Sequence, residues 1–286
     1  MKPIISAEDL AVLLKEPAQV VLVDARSGPD AIDNFQKEHL QGAHYVDLEN
    51  DLAHKNFSAA QGGRHPLPSP KEFSRIMNRL GITPSSRVVV YDDKNGANAA
   101  ARFWWMVRAM GHEQVHVVDG GYAAAKAAGV PTTQEVEKVE CPHFFTNSEW
   151  QLPTANLEEV AHAAQHPDYM VIDVREPARY RGEVEPIDEV AGHIPGAVNY
   201  PFQDNLDSQG KFLPEEELKT KYTKDLQGKP ANHVMVHCGS GVTACHTLLG
   251  MAQAGLDLPK LYVGSWSEWS RSGQPMAGLG ATKQSS

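Results

Sequence analysis

The chain has 286 residues, 41% of them apolar, and carries 26 Lys and Arg against 36 Asp and Glu, a formal net charge of -10. That length exceeds the usual extent of one hydrophobic core, so two domains are expected. An acidic chain without clustered Lys and Arg excludes a nucleic-acid surface, and any anionic ligand must be held by backbone amides and a few local cations acting against the global field.

The start, Met1 to Asp9, lacks the apolar core of a signal peptide, and no stretch approaches the ~20 apolar residues of a membrane span. A cytoplasmic protein without membrane contacts is therefore expected. Its three cysteines, Cys141, Cys238 and Cys245, are too few and too odd in number for a disulfide framework, which leaves a thiol available for chemistry.

In chain order, Val20 to Asp24 is a buried-strand run ending in Asp24-Ala-Arg26, followed by Glu38-His-Leu-Gln-Gly42-Ala-His-Tyr45. Pro70 to Leu80 has the period of an amphipathic helix. Arg87 to Tyr91 is a second strand, ending at Asp92, and Val117-Val-Asp-Gly120-Gly-Tyr122 a third with its turn. The stretch from Pro131 to Pro153 is polar and aperiodic, as an interdomain linker is.

Beyond it the same signals return in the same order. Leu157 to Ala164 is helical, and Met170-Val-Ile-Asp173-Val-Arg175 repeats the Asp-x-Arg strand about 150 residues on, a domain length. Gly192-His-Ile-Pro-Gly196-Ala-Val-Asn-Tyr200 repeats the 38–45 segment. His233-Val-Met-Val-His237-Cys238 repeats 87–92, and Leu261-Tyr-Val-Gly264-Ser-Trp266 repeats 117–122. The chain is read as a duplication: an α/β domain over 1–130, a linker over 131–153, a second α/β domain over 154–277 and a flexible tail over 278–286. In each domain a mainly parallel sheet is flanked by helices on both faces.

The chemistry concentrates after the strand ending at Val236. His237-Cys238-Gly239-Ser240-Gly241-Val242-Thr243 leads straight into a helical stretch, Cys245 to Ala254, so the thiol sits where a sheet strand turns into a helix. Ligands of open parallel sheets bind at that end, and amides at a helix start stabilise a thiolate, the nucleophilic form of cysteine. Free cysteines are often only small buried hydrophobes. A Cys-Gly-Ser-Gly turn is poorly explained by packing, however, because its glycines are what lets backbone curl around a sulfur.

The duplicated Asp-x-Arg strand, Gly192 to Ala197, the Cys238-Gly-Ser-Gly-Val-Thr243 loop and Gly264-Ser-Trp-Ser-Glu-Trp269 together resemble the tandem-domain rhodanese family. The resemblance covers nearly the whole chain. It implies two rhodanese-like domains, of which the second is catalytic and the first inactive, with Asp92 in the place of Cys238. Within that family a Cys-Gly-(Ser/Thr)-Gly-Val-Thr loop marks 3-mercaptopyruvate sulfurtransferases, whereas thiosulfate enzymes have cationic residues after the cysteine. A neutral, donor-rich loop suits a keto-acid with one carboxylate, and a dianion benefits from cations.

The resemblance further implies that Cys238 passes sulfur from a small anionic donor to a thiol acceptor, such as thioredoxin or a small dithiol, or to cyanide. No cofactor or metal is implied, and the thirteen histidines show no metal-ligand spacing with cysteines. It assigns a Ser-His-acid relay to Ser240, His65 and Glu49, with Asp47 as the other candidate acid. Arg179 corresponds to the arginine that holds the donor's carboxylate. The family's second arginine has no clear counterpart, since the 183–191 segment is shorter: Arg181 takes its place, or one clamp is lost. Gly239, Gly241, Val242 and Thr243 complete the substrate loop. Cys245 packs inward or acts as a resolving thiol.

Two rivals share these residues. A Cys-dependent phosphatase needs an arginine closing a Cys-x5-Arg loop, and Ala244 stands there. A non-catalytic persulfide-binding scaffold would not require Ser240 and both glycines beside the thiol.

Overall fold

The computed structural model describes residues 2–16, 20–55, 58–136, 139 and 145–278, so Cys141 and 279–286, including nearly all of the expected tail, lie outside the described residues. The chain divides into two units. The first comprises 1–54, 68–151 and 208–212, and the second 55–67, 152–207 and 213–286. The linker read from the sequence thus clusters largely with the first unit, and 55–67 with the second.

In the first unit the strands β1 (Ile4–Ile5), β2 (Val20–Asp24), β4 (Ala43–Tyr45), β5 (Arg87–Tyr91) and β6 (Val115–Val118) form one sheet, and a short antiparallel pair joins β3 (His39–Leu40) to β7 (Thr132–Thr133). The five-stranded sheet has the order β1-β6-β5-β2-β4 and every pairing is parallel. Val, Leu and Tyr dominate its inner strands, and burial of nearly every residue there fits a sheet covered on both faces. The helix predicted over 70–80 spans Pro70–Arg79. It starts at a capping box in which Ser69 Oγ accepts from the Glu72 backbone N–H.

The second unit repeats the plan with β8 (Thr154–Ala155), β9 (Met170–Asp173), β10 (Val198–Asn199), β11 (Val234–His237) and β12 (Lys260–Tyr262). Its parallel order, β8-β12-β11-β9-β10, matches that of the first sheet strand for strand. Asp92 and Cys238 therefore follow equivalent central strands, β5 and β11. The helix after the cysteine loop, Ala244–Gln253, is buried over its first eight residues, so the loop is held between a central strand and a buried helix. No helix among the described residues is long and apolar enough to cross a membrane.

The duplicated Asp-x-Arg pairs are internal braces. Arg26 bonds Asp24 at 2.7 Å and the Glu38 carbonyl at 2.8 Å; Arg175 bonds Asp173 at 2.6 Å and the Gly192 carbonyl at 2.7 Å. Each guanidinium also lies over an aromatic ring, Tyr122 at 4.5 Å and Trp266 at 4.9 Å. Each ties a strand end to the loop that carries the Gly-Ala segment.

Candidate active site

The site is built within the second unit. Cys238 leaves β11 almost fully buried, 3% exposed. Its backbone is held from both sides: its N–H donates to Ser265 Oγ at 3.2 Å, and its carbonyl accepts from Trp266 N–H at 3.1 Å. Ser265 occupies the left-handed region at φ 53° and is fully buried, a conformation that costs a non-glycine residue about 1–2 kcal/mol. Its hydroxyl also donates to the Tyr262 carbonyl at 2.9 Å, so this local strain is offset by bonds that pin the nucleophile's backbone.

Gly241 has φ +74°, and a β-carbon there would lie 3.0 Å from Val263 Cα and press on its carbonyl oxygen. Val242 is buried, and its carbonyl and that of Thr243 accept the N–H groups of Cys245 and His246 as the helix begins. Cys245 is fully buried, its thiol donating to the Gly241 carbonyl at 3.5 Å. It packs under the loop.

Ser240 and His65 meet within this unit. Ser240 Oγ and His65 Nδ1 are 2.7 Å apart, with both residues buried; when Nδ1 is unprotonated the hydroxyl donates to it. The segment carrying His65 is fastened beside the loop by two further bonds: Gly62 N–H donates to Glu268 Oε1 at 2.7 Å and Arg64 N–H to Ser267 Oγ at 3.1 Å. Glu49 belongs to the first unit. There Asp47 serves as a turn cap, its Oδ1 accepting from the Glu49 and Asn50 backbone N–H groups and from Asn50 Nδ2.

Gly239 lies under two guanidiniums. A β-carbon added to it would be 3.2 Å from Arg64 Nη2 and 3.4 Å and 3.6 Å from Arg179 Nη2 and Nη1. Arg179 was expected at the loop; Arg64 was not. Arg181, the candidate for the missing arginine, pairs instead with Glu183 at 2.6 Å, both side chains about half exposed.

Two acids set these cations. Glu185 bonds Arg179 at 2.7 Å and Arg175 at 3.4 Å, and Asp188, whose side chain is fully buried, faces Arg64 at 3.2 Å, Arg271 at 3.0 Å and Arg179 at 3.6 Å. With Asp173 on Arg175 and the exposed Glu189 at 3.6 Å from Arg271, four guanidiniums meet four carboxylates, of which Glu189 alone is exposed. Burial pulls the Arg175 guanidinium down, but the charges of Asp173, Glu185 and Cys238 outweigh it and hold it above its ordinary value. The 183–191 segment, polar and unremarkable as sequence, is where reading by pattern failed. The signal available was the need for local cations, which Arg64, next to His65, could have met.

The rhodanese-like domain family matches residues 6–128 and again 156–272. The chain belongs to the rhodanese family. It is 42% identical over 271 residues to the "Probable 3-mercaptopyruvate sulfurtransferase" of Pseudomonas aeruginosa, covering 93% of this chain and 94% of that one. It is 34% identical to the thiosulfate sulfurtransferase of Mus musculus, over 84% and 80% of the two chains. Among solved structures, SseA from Escherichia coli, a 3-mercaptopyruvate sulfotransferase, superposes with a TM-score of 0.75 at 30% identity, over 94% of this chain and all of the other. Both rhodanese domains read from the sequence are thus present, and the chain is a sulfurtransferase whose likeness runs to the 3-mercaptopyruvate type.

The first rhodanese domain has no thiol at the equivalent turn. Asp92 is fully buried, and its carboxylate accepts from the backbone N–H groups of Lys94 and Gly96 at 2.9 Å and of Asn98 and Ala100 at 3.3 Å. Burial pushes this carboxyl up, and the four amides offset only part of that. Amides that could cradle an incoming anion already hold an internal one.

Proposed function

We propose that this sulfurtransferase takes sulfur from 3-mercaptopyruvate onto Cys238 and passes it to a thiol. The observation that carries the reading is the buried Ser240–His65 hydrogen bond of 2.7 Å in the cysteine's own loop. The Cys238 thiolate attacks the donor's sulfur; an S–S bond forms, the C–S bond breaks, and the carbon keeps the electron pair as pyruvate enolate. That leaving group needs a proton at carbon. A hydroxyl backed by imidazole, Ser240 with His65, supplies or relays it.

The persulfide left on Cys238 then meets a reduced dithiol such as thioredoxin. One acceptor thiolate takes the outer sulfur and releases the Cys238 thiolate. Cyanide replaces the dithiol in the same step, leaving as thiocyanate. In this reading the first domain is catalytically inactive because Asp92 stands where Cys238 does.

A second reading has one specific observation in its favour. The guanidiniums of Arg64 and Arg179 against Gly239 provide the cations a dianionic thiosulfate benefits from, although the loop's own side chains are neutral. Thiosulfate leaves as sulfite, which needs no proton. The donors are therefore separated by Ser240→Ala: transfer from 3-mercaptopyruvate to cyanide should fall at least ~100-fold, while any transfer from thiosulfate changes less than ~3-fold. Cys238→Ser should abolish both. A wild type preferring thiosulfate would overturn the donor, and Cys238-independent transfer would overturn the nucleophile.

A further inference from the structure

We propose that Arg64 is the second donor-binding arginine of this site, acting with Arg179 on the anionic end of the sulfur donor and standing in for an arginine the 183–191 segment lacks. The inference rests on the sulfurtransfer reading above and adds to it a binding residue drawn from another part of the chain.

Three observations carry it. First, the two guanidiniums reach the same point of the loop: the place of a side chain at residue 239 is bounded by Arg64 Nη2 at 3.2 Å and Arg179 Nη2 at 3.4 Å. Gly239 leaves that place open, next to the nucleophile. Second, both arginines are held by one edge only. Arg64 donates to Asp188 through Nε at 3.2 Å and Nη2 at 3.5 Å, and Arg179 to Glu185 through Nε at 3.3 Å and Nη2 at 2.7 Å. Among the described residues neither Nη1 makes a hydrogen bond, so each guanidinium keeps a donor for a ligand oxygen.

Third, the acids that hold them are buried, with side chains 0% and 3% exposed. A buried carboxylate fixes the planar group in one orientation before the ligand arrives, which lowers the entropy cost of binding. Arg64 itself is one-quarter exposed. Asp188 is then a positioning residue: it also takes Arg271 at 3.0 Å, which donates to the Ser267 carbonyl at 2.9 Å, and Ser267 Oγ accepts the Arg64 backbone N–H at 3.1 Å. Backbone and side chain of Arg64 are fastened by the same small network.

The test uses the full chain with Arg64→Ala and Arg64→Lys, and two readouts. In steady-state transfer from 3-mercaptopyruvate to cyanide, Arg64→Ala should raise KM about tenfold or more and leave kcat within about threefold, because the lost bonds bind the donor's charge and not the reacting sulfur. Arg64→Lys, which keeps a cation beside Asp188 but not the planar fork, should raise KM by an intermediate factor of about three or more.

The second readout is alkylation of Cys238 by iodoacetate and by neutral iodoacetamide. The ratio of the two rates should fall about fivefold or more in Arg64→Ala, since only the anionic reagent is drawn by the guanidinium. Wild-type KM in both variants and a wild-type rate ratio in Arg64→Ala would overturn the proposal and leave Arg64 a partner of Asp188 alone. If the wild type failed to use 3-mercaptopyruvate at all, the donor reading would fall, and the alkylation ratio would still decide the role of Arg64. Should Arg64→Ala not fold, Arg64→Gln, which removes the charge but keeps a long polar side chain, carries the same two readouts.

Discussion

Gly239 and Gly241 flank Ser240, yet the same substitution should do different things at each. At Gly241, alanine meets two penalties. The backbone is left-handed at φ +74°, which costs an L-residue about 1–2 kcal/mol. Its β-carbon also presses on the backbone of Val263, at 3.0 Å from Cα, and backbone of the strand-to-helix segment cannot turn aside as a side-chain end can. Overpacking of this kind adds roughly 1–3 kcal/mol, for a total of about 2–5 kcal/mol.

For a unit of this size that lowers the melting midpoint by roughly 5–20 °C. At Gly239 the backbone is ordinary, and the neighbours at 3.2–3.6 Å are ends of flexible arginines, so Gly239→Ala should cost under about 1 kcal/mol. Differential scanning calorimetry, with sulfur transfer to cyanide run on the same preparations, separates the two. Gly241→Ala should melt early and lose activity, while Gly239→Ala should melt near the wild type with a raised donor KM. A Gly241→Ala midpoint within about 2 °C of wild type, or equal destabilisation by both, would refute the argument.

Asp188→Asn removes a fully buried charge that faces three guanidiniums, and breaking such a network by one partner should destabilise by about 3–5 kcal/mol, read as a lower urea midpoint; an unchanged midpoint would show the cluster to be solvated. Stability should also fall on acidification below about pH 6.5. Burial lowers His237, His112 and His116 below the ordinary 6.5, with Asp173 at 3.8 Å offsetting part of this for His237. The unfolded chain therefore takes up protons first, and fully buried His237 adds a slope approaching ~1.4 kcal/mol per pH unit until its folded value is passed. Urea midpoints at pH 8, 7, 6 and 5.5 test this, and a midpoint constant over that range would refute it. Ser265→Ala, which removes the acceptor of the Cys238 N–H, should cost about 1–3 kcal/mol and slow Cys238 alkylation; unaltered alkylation would show that the serine does not pin the nucleophile.

What could be read from residues alone is local or repetitive. The duplication, the parallel sheets and the strand-to-helix turn at Cys238 follow from hydrophobic period and glycine placement, and the structure adds the pairing of Asp173 with Arg175, two residues apart. Such features carry their own geometry: a residue two places along a strand end is within reach of its neighbour in any fold that forms the strand. The Ser240–His65 contact spans 175 residues of sequence and became an expectation only through resemblance, because nothing in the composition of 55–67 says which unit it joins.

Tertiary structure alone decided the cations. Arg64, Glu185 and Asp188 stand in polar segments that read as exposed loop, and a charged residue in a loop has no periodicity to betray burial. Chain closure brings 55–67 and 183–191 together in the second unit, where a carboxylate taken from water requires guanidiniums and guanidiniums held by buried carboxylates stand beside Gly239. Pairing of that kind depends on which loops meet, and that is set by the packing of the whole unit.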